Sequence, residues 1–280
     1  MNKCIICNKT ANDILYAGIL QCHNCGYVFA DIHITNDDLN AYYNNNYFSG
    51  KEYSNYEASR NIIQKNFKNR LKVLNRFISP SNHGNLLDIG CAYGFFLDCA
   101  RSFFSSIKGI DITEEGTKFA RERLNLDIIT GDFIKHDFID QKFDVVCMWD
   151  TIEHLKNPQL FLDKISTLVD SGGWLALTTG DIESLNARIR KDKWRHLKPP
   201  EHLHYFSKGT ISKFLNNYGF DIIYNHYCGN YFNLDNITNK LLVLNHKSPS
   251  LYRLLNRLSL NNINFYLNMF DIMYVIARKR

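Results

Sequence analysis

Short apolar runs, each closed by a turn residue, recur along most of the chain. Leu86 to Ile89 (LLDI), Ile107 to Ile112 (IKGIDI), Leu126 to Thr130 (LDIIT), Phe143 to Asp150 (FDVVCMWD), Trp174 to Thr179 (WLALTT) and Phe220 to Tyr227 (FDIIYNHY) have the length and composition of buried strands, and FDIMYVIARKR supplies a last one. Helical periodicity fills the gaps. Asn157 and Pro158 read as a cap and first helical residue; Leu160, Phe161, Ile165, Leu168 and Val169 form one apolar face, and Gly172-Gly173 is expected to end it. A second helix runs from Thr210 to Tyr218 and stops at Gly219. Upstream, Ile62, Ile63, Phe67, Leu71, Leu74 and Phe77 define an amphipathic helix expected to cover the edge of the sheet. Strands alternating with helices predict an α/β fold, a Rossmann-like, doubly wound, mostly parallel sheet of seven strands.

Polar residues gather where these strands end. LLDIGCAYG places Asp88, Gly90 and Gly94 in a strand, a turn and a helix start, with FFLDCA following. Glycines there let backbone approach a ligand at the carboxyl edge. A dinucleotide site would need G-x-G-x-x-G, and Phe95, Phe96 and Leu97 follow Gly94 instead, which argues against hydride transfer. Asp111 lies about 20 residues beyond the turn, where a carboxylate holds a ribose diol. Gly131-Asp132 follows the third run and Asp150 ends the fourth. One such acid alone reads better as a helix cap or a solvated loop residue; three in register after the glycine turn favour a ligand site.

A different pattern opens the chain. Cys4-x-x-Cys7 and Cys22-x-x-Cys25, with 14 residues between the pairs, have the spacing of a four-cysteine zinc ribbon. Four thiolates close a tetrahedral shell, so the expected Zn²⁺ is structural; iron in a rubredoxin-like site is the rival. Cys91, Cys99, Cys147 and Cys228 sit in apolar surroundings and read as core residues. The expected organisation is a zinc ribbon at 1–34, a Tyr- and Asn-rich linker with the covering helix at 35–80, and a catalytic domain at 81–280 with an insertion at about 230–268. In the linker, Tyr43 and Tyr47 are candidates for lining an acceptor site, since aromatic rings with polar tips give contact area at low entropy cost.

Composition fits this division. With 280 residues and 45% hydrophobic positions the chain can bury a substantial core, whereas a ribbon of about 30 residues needs its metal. No apolar run reaches the roughly 20 residues of a membrane span, and MNKCIICNK lacks a leader's apolar region, so a cytoplasmic protein is expected.

Taken together, the ribbon, YYNNNYF, LLDIGCAYGFFLD, FDVVCMWDTIEHLKNP and KWRHLKPPEHLHYFS resemble a bacterial subgroup of class I S-adenosylmethionine (SAM) dependent methyltransferases associated with surface-polysaccharide or antibiotic-sugar modification. Motif I of that family is acid-x-G-x-G-x-G; Ala92 stands where its middle glycine usually lies. The resemblance implies SAM as cofactor, held by Asp88, Gly90, Cys91, Ala92, Gly94, Asp111, Ile112, Gly131, Asp132, Trp149 and Asp150, with Asp132 against the adenine amine. It also implies that the last strand runs antiparallel between the fifth and sixth, and that the acceptor is a carbohydrate or other small molecule.

Methyl transfer to a hydroxyl needs alignment and a base. Histidine is the usual choice, and the candidates are His154 after the fourth strand and His196, His202 and His204 around the Pro199-Pro200 turn, with His202 favoured and Glu201 orienting it or His204 substituting. Arg195 and Tyr205 complete the expected acceptor site, Arg195 as a partner for a phosphate or carboxylate. The cluster from Trp194 to Tyr205, with His196, Glu201, His202 and His204, also offers metal-ligand chemistry, ranked below the base and substrate-binding role because methyl transfer to a hydroxyl proceeds without metal. Two other readings stay open. A net charge of +5 and the basic run Arg188 to Arg195 fit an RNA methyltransferase that uses the ribbon for recognition. A non-catalytic scaffold would be expected to have lost the cofactor acids, which are present.

Overall fold

A computed structural model describes residues 3–10, 12–32, 59–79, 83–234 and 263–280, with isolated positions outside these spans. The ribbon contributes β1 (Asn12–Tyr16), β2 (Ile19–Cys22) and β3 (Val28–Ala30). Helix α1 (Arg60–Leu74) leads to β4 (Asn85–Ile89), α2 (Phe95–Ala100), β5 (Ser106–Asp111), α3 (Glu114–Leu124), β6 (Ile128–Thr130) and β7 (Phe143–Trp149). Then follow α4 (Pro158–Leu168), β8 (Val169–Gly180), α5 (Leu185–Arg190), β9 (His204–Tyr205), α6 (Lys208–Asn217) and β10 (Phe220–Tyr227). A hairpin of β11 (Asn230–Asn233) and β12 (Asn264–Leu267) precedes β13 (Ile272–Lys279).

The central sheet has seven strands in the order β10-β13-β8-β7-β4-β5-β6. Strands β8, β7, β4, β5 and β6 are parallel, while β13 is antiparallel to both β8 and β10. The last strand is thus inserted as the resemblance implied. Side chains alternate between the faces with period two. Val145, Cys147 and Trp149 join a core under α1, α2 and α3, while Val146 and Met148 join one packed by Leu162, Ile165 and Leu168 of α4 and Ile211, Phe214 and Leu215 of α6.

Two expected boundaries move. Val169 belongs to a strand, and Gly172-Gly173 lies inside β8 instead of ending the helix. At Gly173 a β-carbon would come within 2.6 Å of Val169 Cγ1, so the close pass of the backbone, and not helix termination, uses this glycine. Helix α1 covers a face of the sheet and not its edge: Leu71 and Leu74 pack in one core with Leu86, Cys147, Trp174 and Ile276 from four strands.

The ribbon is built into the larger domain. Cys4, Ile6, Cys22, Tyr27 and Phe29 share a core with Phe206 and Ile211, and Asn217 donates a hydrogen bond to the Ile6 carbonyl at 2.9 Å. Strand β9, from the PPEHLHYFS segment, pairs with β3 and extends the ribbon sheet to four strands. Two residues are too few to read as a strand from pattern alone.

Candidate active site

At the carboxyl ends of β4, β5, β6 and β7 lies a cleft of about 520 Å³. Asp88, Gly90, Cys91, Ala92, Asp111, Ile112, Gly131, Asp132, Trp149 and Asp150 all border it. Gly94 does not; it caps α2 in the left-handed region at φ 71°, and a β-carbon there would lie 2.6 Å from Leu126 Cδ1. Its service is close helix packing.

The turn after β4 is shaped by Gly90 at φ 77°, where a β-carbon would meet Thr151 Oγ1 at 2.6 Å. Ala92 takes φ 47°, a backbone conformation unfavourable for a residue with a side chain, at the position where motif I usually carries glycine. Its amide donates to Asp111 Oδ2 at 2.8 Å, and Thr113 donates to Oδ1 through its amide (2.8 Å) and hydroxyl (2.6 Å). Burial raises the Asp111 pKa, and these donors pull it back. Asp88 is buried, its Oδ1 has no partner among the described residues, and burial together with the charge of Asp111 pushes its pKa well up. Across the cleft, Lys164 donates to the carbonyls of Phe133 (2.7 Å) and Ile134 (3.0 Å) and to that of His136, pinning the loop after Asp132.

Helix α1 brings in residues that the sequence reading left out of the site. Ile63, Asn66, Phe67 and Arg70 line the cleft. Arg70 is buried and bonds Asp150 Oδ2 at 3.0 Å. Partial desolvation works against the half-exposed Asp150 carboxylate, but the guanidinium outweighs it and holds the pKa below the usual range. A basic residue inside an apolar stripe, Phe67-Arg70-Leu71-Leu74, was the available signal.

Beyond Asp150 a short 3-10 turn, Ile152–His154, carries Glu153 and His154. His154 lines the cleft, and the His202 ring stands edge-on to it at 4.5 Å. Their Nδ1 atoms bond main-chain carbonyls, His154 to Glu201 at 2.9 Å and His202 to His196 at 2.7 Å. Glu201 thus holds the His154 ring through its main-chain carbonyl. Burial and the neighbouring His202 lower the His154 pKa to about 3, and burial with the Asp150 charge raises that of Glu153 to about 8.

Other expected site residues stand elsewhere. His204 joins the ribbon to the cleft loop: Nδ1 bonds the Tyr27 hydroxyl and Nε2 the Leu155 carbonyl at 2.7 Å. Tyr205 is buried with Ile19, Val28 and Trp194, its hydroxyl donating to the His202 carbonyl at 2.7 Å. Arg195 is taken up by Asp271, at 2.8 and 3.1 Å. None of His202, His204, Tyr205 and Arg195 is among the residues lining the cleft. Tyr43 and Tyr47 lie outside the described residues.

The four ribbon cysteines converge. Cys4 and Cys25 Sγ are 3.5 Å apart, as are Cys7 and Cys22 Sγ, and all four lie within 4.8 Å of one another. Zinc–sulfur bonds of about 2.3 Å in a tetrahedron separate sulfurs by about 3.8 Å, so the donor set fits such an ion.

A family model described as a methyltransferase domain matches residues 56–225, more than half of the chain. The protein belongs to this methyltransferase family. The chain is 27% identical over 132 residues to the mitochondrial ubiquinone biosynthesis O-methyltransferase of Dictyostelium discoideum, covering 39% of this chain and 41% of that one. It is 39% identical over 90 residues to N-methyltransferase 4 of Papaver somniferum, covering 29% and 25%. The match thus spans less than half the length of these curated relatives. Among solved structures, magnesium protoporphyrin IX methyltransferase of Synechocystis PCC 6803 with bound SAH has the same fold, with a TM-score of 0.51 at 16% identity, over 83% of this chain and 91% of that one. Among the described residues, no helix is long and apolar enough to cross a membrane.

Proposed function

We propose that this methyltransferase-family protein transfers the methyl group of SAM to a hydroxyl of a small hydroxylated acceptor. The observation that carries this reading is the cleft itself, where Asp88, Asp111, Asp132 and Asp150 border one cavity from four consecutive parallel strands. Such a switch-point edge is where an α/β sheet binds a nucleotide. On this reading Asp111 takes the ribose, the loop at Asp132 takes the adenine, and the turn from Gly90 to Ala92 passes the aminoacyl end.

The acceptor site is then the remaining wall, made by Phe67, Arg70, Trp149, Asp150 and His154. The acceptor oxygen attacks the methyl carbon as the carbon–sulfur bond breaks, S-adenosylhomocysteine leaves, and the hydroxyl proton passes to the wall containing Glu153, His154 and His202. His154 is the member of that group lining the cleft. Oxygen as the methylated atom is supported by a relative named for O-methylation, and aromatic lining suits a ring-bearing acceptor. The sugar-acceptor reading drew on the combined resemblance, in which PPEHLHYFS is the most restricted segment; its His202, His204 and Tyr205 are absent from the cleft lining, which weakens that reading. RNA is disfavoured because Arg195, in the densest basic run, is engaged by Asp271. Zinc in the ribbon is part of the proposal, as a support for the loop that His204 holds.

Calorimetric titration with S-adenosylhomocysteine, with NADH for comparison, tests the cofactor. Transfer of labelled methyl to panels of nucleotide sugars, dihydroxy aromatics and RNA tests the acceptor. Saturable binding of S-adenosylhomocysteine alone is expected; no binding would leave the scaffold reading in its place.

A further inference from the structure

Glu153, His154 and His202 each bring one potential ligand atom to a common point, all within 4.8 Å of one another. Glu153 is 4% exposed and its Oε2 has no hydrogen-bond partner among the described residues. Leaving a buried carboxylate oxygen without a partner is costly, which makes it evidence for something that completes it. Both histidines have Nδ1 bonded to a backbone carbonyl, at 2.9 and 2.7 Å. That bond fixes the proton on Nδ1 and the lone pair on Nε2, the arrangement found behind metal-ligating imidazoles.

We propose that Glu153, His154 and His202 form a binding site for a first-row divalent cation at the wall of the cleft, distinct from the four-cysteine site. Two imidazoles and a carboxylate suit Zn²⁺, Mn²⁺ or Fe²⁺, and three protein ligands leave coordination positions open. Bonds of about 2.0–2.2 Å place tetrahedral ligand atoms about 3.4 Å apart. Closing onto an ion from a spread of up to 4.8 Å asks for side-chain shifts on the order of an ångström. The carriers are rigid. Glu153 and His154 lie on one short turn, the Leu203 amide donates to the Glu153 carbonyl at 2.8 Å, and His204 fastens the same loop to the ribbon. Because His154 belongs both to this cluster and to the cleft lining, an ion held there faces the acceptor wall. Its function rests on the proposed O-methyl transfer: when bound it acidifies the acceptor hydroxyl, whose proton then leaves to bulk water and not to the Glu153–His154–His202 wall, His154 being a ligand and not a base. Binding of the ion does not depend on that reading.

The test uses the full chain with one zinc per chain in the ribbon, titrated with Mn²⁺ by calorimetry and assayed for bound metal after gel filtration. One Mn²⁺ per chain is expected, with affinity at least about 100-fold weaker in both Glu153→Gln and His202→Gln. A cooperative thermal melt shows that each variant is folded, and the isosteric glutamine at 153 keeps side-chain volume. Absence of Mn²⁺ binding in the wild type, or equal affinity in folded variants, overturns the proposal. Titration with S-adenosylhomocysteine in the same samples separates this outcome from failure of the methyltransferase reading, because cofactor binding does not require the cluster.

Discussion

Replacing Asp111 by alanine probes the cofactor site most directly. A carboxylate offers about four acceptor positions. Three are filled in this structure by the Ala92 amide, the Thr113 amide and the Thr113 hydroxyl, all at 2.6–2.8 Å. One position remains for a ribose hydroxyl, so the substitution removes about one hydrogen bond to a charged group and not two. Such a bond is worth about 1.5–3 kcal/mol, which predicts a loss of affinity for S-adenosylhomocysteine of about 10- to 150-fold. The orphaned amides of Ala92 and Thr113 should lower the thermal midpoint as well, because both belonged to a part-buried network. Calorimetric titration of the wild type and variant, each checked by a melt, measures both effects. Affinity changed by less than about threefold in a folded variant would remove Asp111 from the site and refute the count of lone pairs.

Gly90→Ala should weaken S-adenosylhomocysteine binding and destabilise the protein by about 1–2 kcal/mol, since the new methyl meets Thr151 at φ 77°; a denaturant titration checks it. Arg70→Met leaves Asp150, whose side chain is 48% exposed, without its cation and should cost about 1–2 kcal/mol at neutral pH. Because Arg70 holds the Asp150 pKa down in the fold, this contribution is present above the ordinary carboxylate pKa and fades as pH falls through the depressed value, so wild type and variant should converge in acid. His204→Phe keeps the ring but breaks its bonds to Tyr27 and Leu155; a loss of about 1–3 kcal/mol is expected, along with faster hydrogen exchange at the turn Ile152–His154. Chelation of ribbon metal should reproduce that exchange pattern, and an unchanged pattern would detach the ribbon from the cleft loop.

Much of this protein is legible as a one-dimensional pattern. Buried parallel strands must be apolar on both faces, so runs such as FDVVCMW announce themselves, and the acids that end them mark the sheet edge before any coordinates exist. Metal-binding knuckles are equally local, because two cysteines three positions apart already share a turn. The sequence pattern did not reveal which residues meet across long separations. Arg70 faces Asp150 only because α1 lies over the sheet, and His202 approaches His154 only because β9 is drawn onto the ribbon. Histidines at 202 and 204 look interchangeable in sequence; in the fold His202, just before β9, stands edge-on to His154, whereas His204, on β9, bridges Tyr27 of the ribbon and the Leu155 carbonyl of the loop. Local propensity and spacing thus set the elements and the nucleotide edge, whereas the acceptor wall is tertiary, since its charges and imidazoles are partnered by side chains and carbonyls distant in the chain.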